Sequence, residues 1–273
     1  MSDVRICCLG DIHYYGQRSD LELLTQRIES VCGSADAMVV VGDLTSSGRL
    51  DHMREVLEAV RDAAGGILVL VVPGNHDIYV AWDEVERGVN SLLKLSIFNS
   101  LVENIGCIAL MKKPFIIDNV GFVGSIGWYD YSFAPQWLNL PLDTYREKAF
   151  GLSIWADREF VKLPFSDEEF TITLLERFEE HIREVYSAVE KIVAVMHHVP
   201  FRELVHYKLI PEWDYFSTFM GSESFGHVIK KYDKVKLVLY GHSHNGVDTG
   251  FCKELHGIKC CSCASPIPLV TTL

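Results

Sequence analysis

The stretch ILVLVVPGNHD, residues 67–77, decides how this chain is read. Its apolar residues run without a break from Ile67 to Val72, and Pro73 stops the run. Such a run, bounded by turn residues, reads as a buried strand. Its C-terminal end delivers Asn75 and His76 into a cleft, with Asp77 next to them. As chemistry the triplet is coherent: a neutral amide oxygen for a metal, an imidazole beside it, and a carboxylate to hold that imidazole. Four further apolar strands end in Asp, His or Gly-His, so the arrangement recurs along the chain.

On the N-terminal side, residues 4–9 form a short apolar strand that ends at Gly10, followed by Asp11-Ile12-His13. Ser19-Asp20-Leu21-Glu22 has the form of a capping box. It predicts a helix with Leu21, Leu24, Ile28 and Val31 on one face and Gly33 as its stop. Residues 37–41 are a second strand, closed by Gly42-Asp43. Leu50, Met53, Leu57 and Val60 mark a second amphipathic helix, ended by Gly65-Gly66. The first 77 residues therefore read β-α-β-α-β. Continuous apolar runs suit parallel strands covered on both faces, the α/β class. Open sheets of that class place ligand sites at the C-terminal edge of their strands.

Beyond Asp77 the pattern loosens. Residues 82–101 read as helix, and 107–110, 115–118 and 120–125 as three short strands. Residues 128–165 are aromatic (Trp128, Tyr129, Tyr131, Phe133, Trp137, Tyr145, Trp155) and without period. Long patternless insertions are commonly functional, so this segment is expected to cap the cleft; packing against the core as a helical excursion is the alternative. Ser166 to Glu169 forms another capping box, before a helix with Leu175, Phe178, Ile182, Val185 and Val189 on one face. Residues 192–196 are a strand ending in His197-His198. A second aromatic segment, 201–222, is read as a further cap insertion. A helix at 225–231 and a strand at 236–240 lead to Gly241-His242-Ser243-His244. Residues 247–251 and 258–263 read as last strands. With no internal repeat or linker, one domain spanning 1–273 is the simplest organisation.

Composition narrows the classes. Of 273 residues 48% are apolar and 23% charged, the profile of a soluble globular protein. The formal net charge of −12 repels polyanions and argues against broad nucleic-acid binding. No apolar run reaches the ~18 residues that span a bilayer, and no secretory leader is evident. A cytoplasmic, reducing location is expected for the eight cysteines. Cys260, Cys261 and Cys263 invite a zinc or redox reading. No CxxC pair has a partner pair, however, and Cys261 and Cys263 alternate at strand spacing, which favours small apolar residues. His52, His181, His206, His227 and His256 are read as structural.

The strand-end residues are Asp11, His13, Asp43, Asn75, His76, His197, His198, His242 and His244. All are oxygen or imidazole donors without a thiolate, a set that suits two divalent transition metals such as Mn, Fe, Ni or Zn. The blocks DIH, GD, GNHD, HHVP and GHSH, in this order from Asp11 to His244, resemble the five signature blocks of the calcineurin-like metallophosphoesterase superfamily. That resemblance implies a four-layer αββα sandwich of two mixed β-sheets flanked by helices, with a dinuclear site at one edge. It implies Asp11, His13, Asp43 and His244 on one metal, and Asp43, Asn75, His197 and His242 on the other. Asp43 then bridges. His76 is implied as the histidine near the leaving-group oxygen, oriented by Asp77. His197 is preferred over His198 as ligand, and His198 and Asn75 are expected to touch substrate. The implied reaction is hydrolysis of a small phosphomonoester or phosphodiester by in-line attack of a metal-bridging hydroxide. The alternatives are a metal-dependent nuclease, which the net charge disfavours, and a non-catalytic scaffold, which the intact His76 and ligand set disfavour. Neither oligomeric state nor substrate is legible.

Overall fold

The structure, a computed structural model, describes residues 3–243 and 251–273. The chain opens with β1 (Arg5–Leu9), α1 (Arg18–Cys32), β2 (Ala37–Val41), α2 (Leu50–Ala63) and β3 (Leu68–Val72). This is the expected β-α-β-α-β order, and all three strands are parallel. α3 (Trp82–Glu86), α4 (Ser91–Asn104) and β4 (Ile108–Ala109) follow, so the helix expected over 82–101 is broken in two. The break falls at Asn90, whose side chain accepts from Leu93 N and caps α4. Then come β5 (Phe115–Ile117), β6 (Val120–Ser125), α5 (Leu142–Arg146), a short hairpin of β7 (Ala149–Phe150) and β8 (Ser153–Ile154), α6 (Asp157–Phe160) and α7 (Asp167–Tyr186). The chain continues through β9 (Lys191–Met196), α8 (Pro211–Phe216), α9 (Glu223–Lys231), β10 (Val235–Tyr240), β11 (Cys252–Leu255), β12 (Ile258–Ser262) and β13 (Leu269–Thr272).

The strands form two mixed sheets, ordered β13-β1-β2-β3-β4 and β11-β12-β10-β9-β6-β5. Alternation along each strand explains why they stack. In β1, Cys7 and Leu9 face a core shared with Leu24 and Ile28 of α1, Met53, Leu57 and Val60 of α2, and Phe98 of α4. Ile6 and Cys8 face the opposite way, into a middle core. There Val39, Val41, Leu70 and Val72 of the first sheet meet Phe122, Val193, Val195, Leu237 and Leu239 of the second. The outer face of the second sheet (Ile192, Ala194, Met196, Val238) packs under Phe178 and Ile182 of α7 and Val228 and Ile229 of α9. Strands with apolar residues on both faces can only be interior layers. The result is the expected helix–sheet–sheet–helix sandwich.

Several local expectations differ. α1 starts at Arg18 after Gln17, with no side-chain cap, so Ser19 and Glu22 lie inside its first turns, and Val31 is exposed. The box at Ser166 and Glu169 does form. Most of the strand expected over 247–251 lies outside the described residues. β13, unforeseen, pairs antiparallel with β1. Cysteines depart from the reduced, small-apolar reading: Cys7 is joined to Cys32 and Cys252 to Cys261 as disulfides, whereas Cys260 and Cys263 are free and buried. Among the described residues no helix is long and apolar enough to cross a membrane.

The two aromatic segments pack on each other. Tyr145 stacks on Tyr215 at 5.1 Å between ring centroids, and Trp155 on Phe219 at 5.5 Å. Tyr215 donates to the Thr144 carbonyl and Trp137 to Asp214. Trp128, Tyr129 and Phe133 are fully buried, so this segment also fills the outer core of the second sheet.

Candidate metal centre

The strand-end residues converge where the C-terminal edges of the two sheets meet. Turns after β1, β2 and β3 supply Asp11, His13, Asp43, Asn75 and His76; those after β9 and β10 supply His197 and His242. The local backbone is forced to serve this convergence. Asp11, His13, Asp43 and His242 have φ of 49°, 48°, 51° and 64°, in the left-handed region. Four of the ten such non-glycine residues among the described ones are thus at one site, and strain of ~1–3 kcal/mol each persists only where surroundings impose it. Gly42, at φ 80°, packs so closely that a Cβ would lie 2.6 Å from Gly74 N and 2.8 Å from His197 Nδ1. A Cβ on Gly74 would collide with the Asp43 carboxylate. Glycine in GD and GNHD is therefore a packing requirement.

Asp43 is the hub. It is fully buried, and its Oδ2 receives no hydrogen bond, although Nε2 of His197, His13 and His76 lie 3.3, 3.6 and 3.9 Å away. Its Oδ1 accepts from His76 N at 3.0 Å. Two donor triads share it: His13, Asp43 and His76, and Asp43, His197 and His242, each with ligand atoms within 4.8 Å of one another. Asn75 Oδ1 lies 3.2 Å from His197 Nε2, and Asp11 Oδ1 3.7 Å from His13 Nε2. The other oxygen of Asp11 accepts from His242 N across the seam at 3.0 Å. His197 Nδ1 likewise crosses the seam, donating to the Val41 carbonyl at 2.9 Å. A carbonyl only accepts, so Nδ1 keeps its proton and Nε2 faces the cluster.

Electrostatics agree with the geometry. Burial pushes the Asp43 carboxyl up, but His197, His76 and His13 outweigh it and hold it well below the usual range. Burial pulls His197 down, and Asp43 then lifts it to about 9. A buried carboxylate oxygen with no hydrogen bond, ringed by imidazole nitrogens, is a site prepared for positive charge. Oxygen and imidazole donors without thiolate fit a divalent transition metal.

Two expectations are corrected, those for Asp77 and for the Asn75 amide hydrogens. Asp77 does not orient His76. Its buried carboxylate accepts from the main-chain N–H groups of Gly74, Leu44 and Thr45 at 2.9, 3.3 and 3.2 Å, pinning the β2 turn to the β3 turn. His76 Nδ1 instead meets the Ser46 carbonyl at 2.9 Å. His198 is buried beside the cluster, with its Nε2 lacking a hydrogen-bond partner. It is 1% exposed, packed 5.0 Å from Trp128 and 4.3 Å from His242 between ring centroids, with Nδ1 on the Ile126 carbonyl. Burial, then the neighbouring His197, pulls it down to about 4, so it supports His242 as a neutral ring. Asn75 has no free amide hydrogen for a substrate: Nδ2 is within bonding distance of Asp157 at 2.8 Å and Tyr79 at 3.2 Å. His244 lies outside the described residues.

Asp157, at the start of α6, carries no sequence signal and is the main addition. It is 1% exposed. Oδ1 accepts from Asn75 Nδ2 and Tyr79 OH at 2.8 Å each; Oδ2 accepts from Tyr129 OH and Trp155 Nε1 at 2.9 Å each. Only an acceptor-only carboxylate satisfies four donors at once. By holding the amide hydrogens, Asp157 turns Asn75 Oδ1 toward the cluster.

Residues 4–246 match the Metallophos profile of calcineurin-like phosphoesterases. The chain belongs to the calcineurin-like phosphoesterase family. Among solved structures, this phosphoesterase superposes on a phosphopantetheinyl hydrolase from Mycobacterium tuberculosis with a TM-score of 0.75 and 18% identity, covering 97% of this chain and 90% of that one. It also superposes on a purple acid phosphatase from yellow lupin (Lupinus luteus) with a TM-score of 0.53 and 15% identity, covering 97% of this chain and 44% of that one. Both likenesses are of fold. No curated protein gives a match.

Proposed function

We propose that this phosphoesterase hydrolyses a small phosphomonoester or phosphodiester, using two divalent cations held by Asp11, His13, Asp43, Asn75, His197, His242 and His244. The observation that carries the reading is the pair of donor triads sharing one buried carboxylate, Asp43. Divalent cations bound there supply Lewis-acid charge to phosphoryl oxygens and a nucleophile from water at neutral pH. The chain's own residues do the rest. Asp43 sets the spacing of the two triads. Asp157 holds Asn75 in the ligating orientation, and Val41 holds His197. His197, held through Nδ1, would offer Nε2 to a cation in its neutral form, so cation uptake would be accompanied by loss of a proton. His76, tied through Nδ1 to Ser46, turns Nε2 toward the cluster and hands a proton from that atom to the departing oxygen. Segments 128–165 and 201–222 form the wall that keeps bulk water from the cleft.

The test is hydrolysis of p-nitrophenyl phosphate and bis-p-nitrophenyl phosphate with Mn²⁺, Fe²⁺, Ni²⁺ or Zn²⁺, alongside elemental analysis of bound metal. Turnover that chelation abolishes and metal restores supports the proposal. Full metal loading with no turnover on any ester points to the scaffold reading. Degradation of single-stranded DNA in preference to small esters points to the nuclease.

A further inference from the structure

A cavity of ≈ 590 Å³ opens beside the metal centre, with His242 and Ser243 on its floor. It is far larger than a phosphate group and falls within the ~300–1,000 Å³ of typical small-ligand sites. Its walls come from both aromatic segments: Ile154 and Trp155 from one, Val205, Ile210, Phe216 and Met220 from the other. His206, Lys208, Glu212, Ser217, His242 and Ser243 bring polar groups to a lining that is otherwise carbon, and several of these groups are engaged. Ser217 Oγ donates to the Trp213 carbonyl, the Glu212 carboxylate accepts from Ser153, and Lys208 Nζ lies 3.2 Å from the centroid of the Trp213 ring. Trp155 is both a wall of the cavity and an edge-on neighbour of His242, 5.8 Å between ring centroids, and its Nε1 is held by Asp157. The apolar space is thus built continuous with the cluster.

We infer that this cavity binds the organic half of the substrate, and that the substrate is a phosphoester of a bulky, uncharged apolar alcohol. The inference rests on the phosphohydrolase reading for what happens to the phosphate, but the cavity's occupant is argued from its lining alone. Because most of the lining surface is carbon, ribose hydroxyls and base edges would meet few partners there beyond His206, Lys208, Glu212 and Ser243, which costs binding. An alkyl or aryl group replaces water at no such cost.

Ethyl, butyl, hexyl and octyl phosphate test it, because the departing oxygen is nearly the same throughout. kcat/KM is expected to rise about fourfold per methylene, the equivalent of ~0.8 kcal/mol, mainly through KM, until the cavity is filled. Ile210→Glu and Ile154→Arg, at half-exposed positions that tolerate polar side chains, are expected to cut the octyl-to-ethyl ratio at least tenfold. Separately, octyl phosphate added to chelator-treated protein is expected to give a saturable change in tryptophan fluorescence, from Trp155 and Trp213, that Ile210→Glu abolishes. A flat series, a preference for adenosine monophosphate over octyl phosphate, or no saturable fluorescence change overturns the inference. Saturable binding with no hydrolysis of any ester supports the cavity assignment and overturns the phosphohydrolase reading instead.

Discussion

Replacing Asp157 by Asn changes one oxygen into an NH₂ group and alters nothing else in shape. Four donors point at the two carboxylate oxygens, from Asn75, Tyr79, Tyr129 and Trp155. Whichever way the new amide turns, its NH₂ faces two of them. One of each pair is a tyrosine hydroxyl, which can turn and accept from the NH₂, so one N–H donor is left without an acceptor, at the ~1.5–3 kcal/mol of a hydrogen bond to a charged group. That is a measurable part of a typical domain stability of ~5–15 kcal/mol. A second effect is local to the cluster. With the carboxylate gone, Asn75 is free to rotate its amide and present NH₂ where Oδ1 stood. Loss of such an orienting partner typically lowers metal affinity ~10- to 100-fold. Calorimetric titration with Mn²⁺ measures the second effect and a urea melt the first. Trp155→Phe separates them: it removes a donor from Oδ2 and leaves Asn75 on Oδ1, so it should lower stability with little change in metal affinity. Asp157→Asn protein that melts early yet binds Mn²⁺ as tightly as the parent would refute the positioning role.

His76→Ala is expected to keep its metal content and lose turnover by ~10²- to 10⁴-fold, the usual worth of a general acid. If the protein sheds a metal ion instead, His76 is a ligand, as its place in one triad would allow. Asp77→Ala leaves three buried main-chain N–H groups unpaired, at ~1–3 kcal/mol each, so it is expected to fall well below the parent in a denaturant melt; an unchanged midpoint would contradict the pinning role. Chelation is expected to lower the thermal midpoint reversibly, since a ligand at ~100 times its Kd adds ~2.7 kcal/mol to the folded state; coincident melting curves with and without chelator would show that no cation is held.

What was readable in the sequence was local. Strand interiors are apolar runs and their ends are turn residues, so β1, β2, β3, β9 and β10 fall where expected, and the residues just beyond them meet in space. Orientation within the cluster was not readable, because it depends on backbone atoms far along the chain. His76 is fixed by Ser46, 30 residues away, and Asn75 by Asp157, 82 away. No spacing rule links such positions. Asp77 sits beside His76 in sequence, which suggested a partnership, but a turn of 3₁₀ helix sends its carboxylate back to the β2 turn. β13 was missed since four residues following Pro266 and Pro268 carry little pattern, and its partner lies at the other end of the chain. The cap box at Ser19 failed because helix α1 begins upstream of it, while the one at Ser166 follows Pro164 and Phe165 and marks a true start.

The donors are divided between two sheets: Asp11, Asp43 and Asn75 ride on one, His197 and His242 on the other. The cluster therefore works as a caliper across the layers. If the sheets slide by an ångström, the jaws open and the ligand set no longer closes on a cation. A methylene trimmed from the middle core, at Val72 or Leu239 for instance, touches no donor, yet it should be felt as weaker metal retention before it is felt as unfolding.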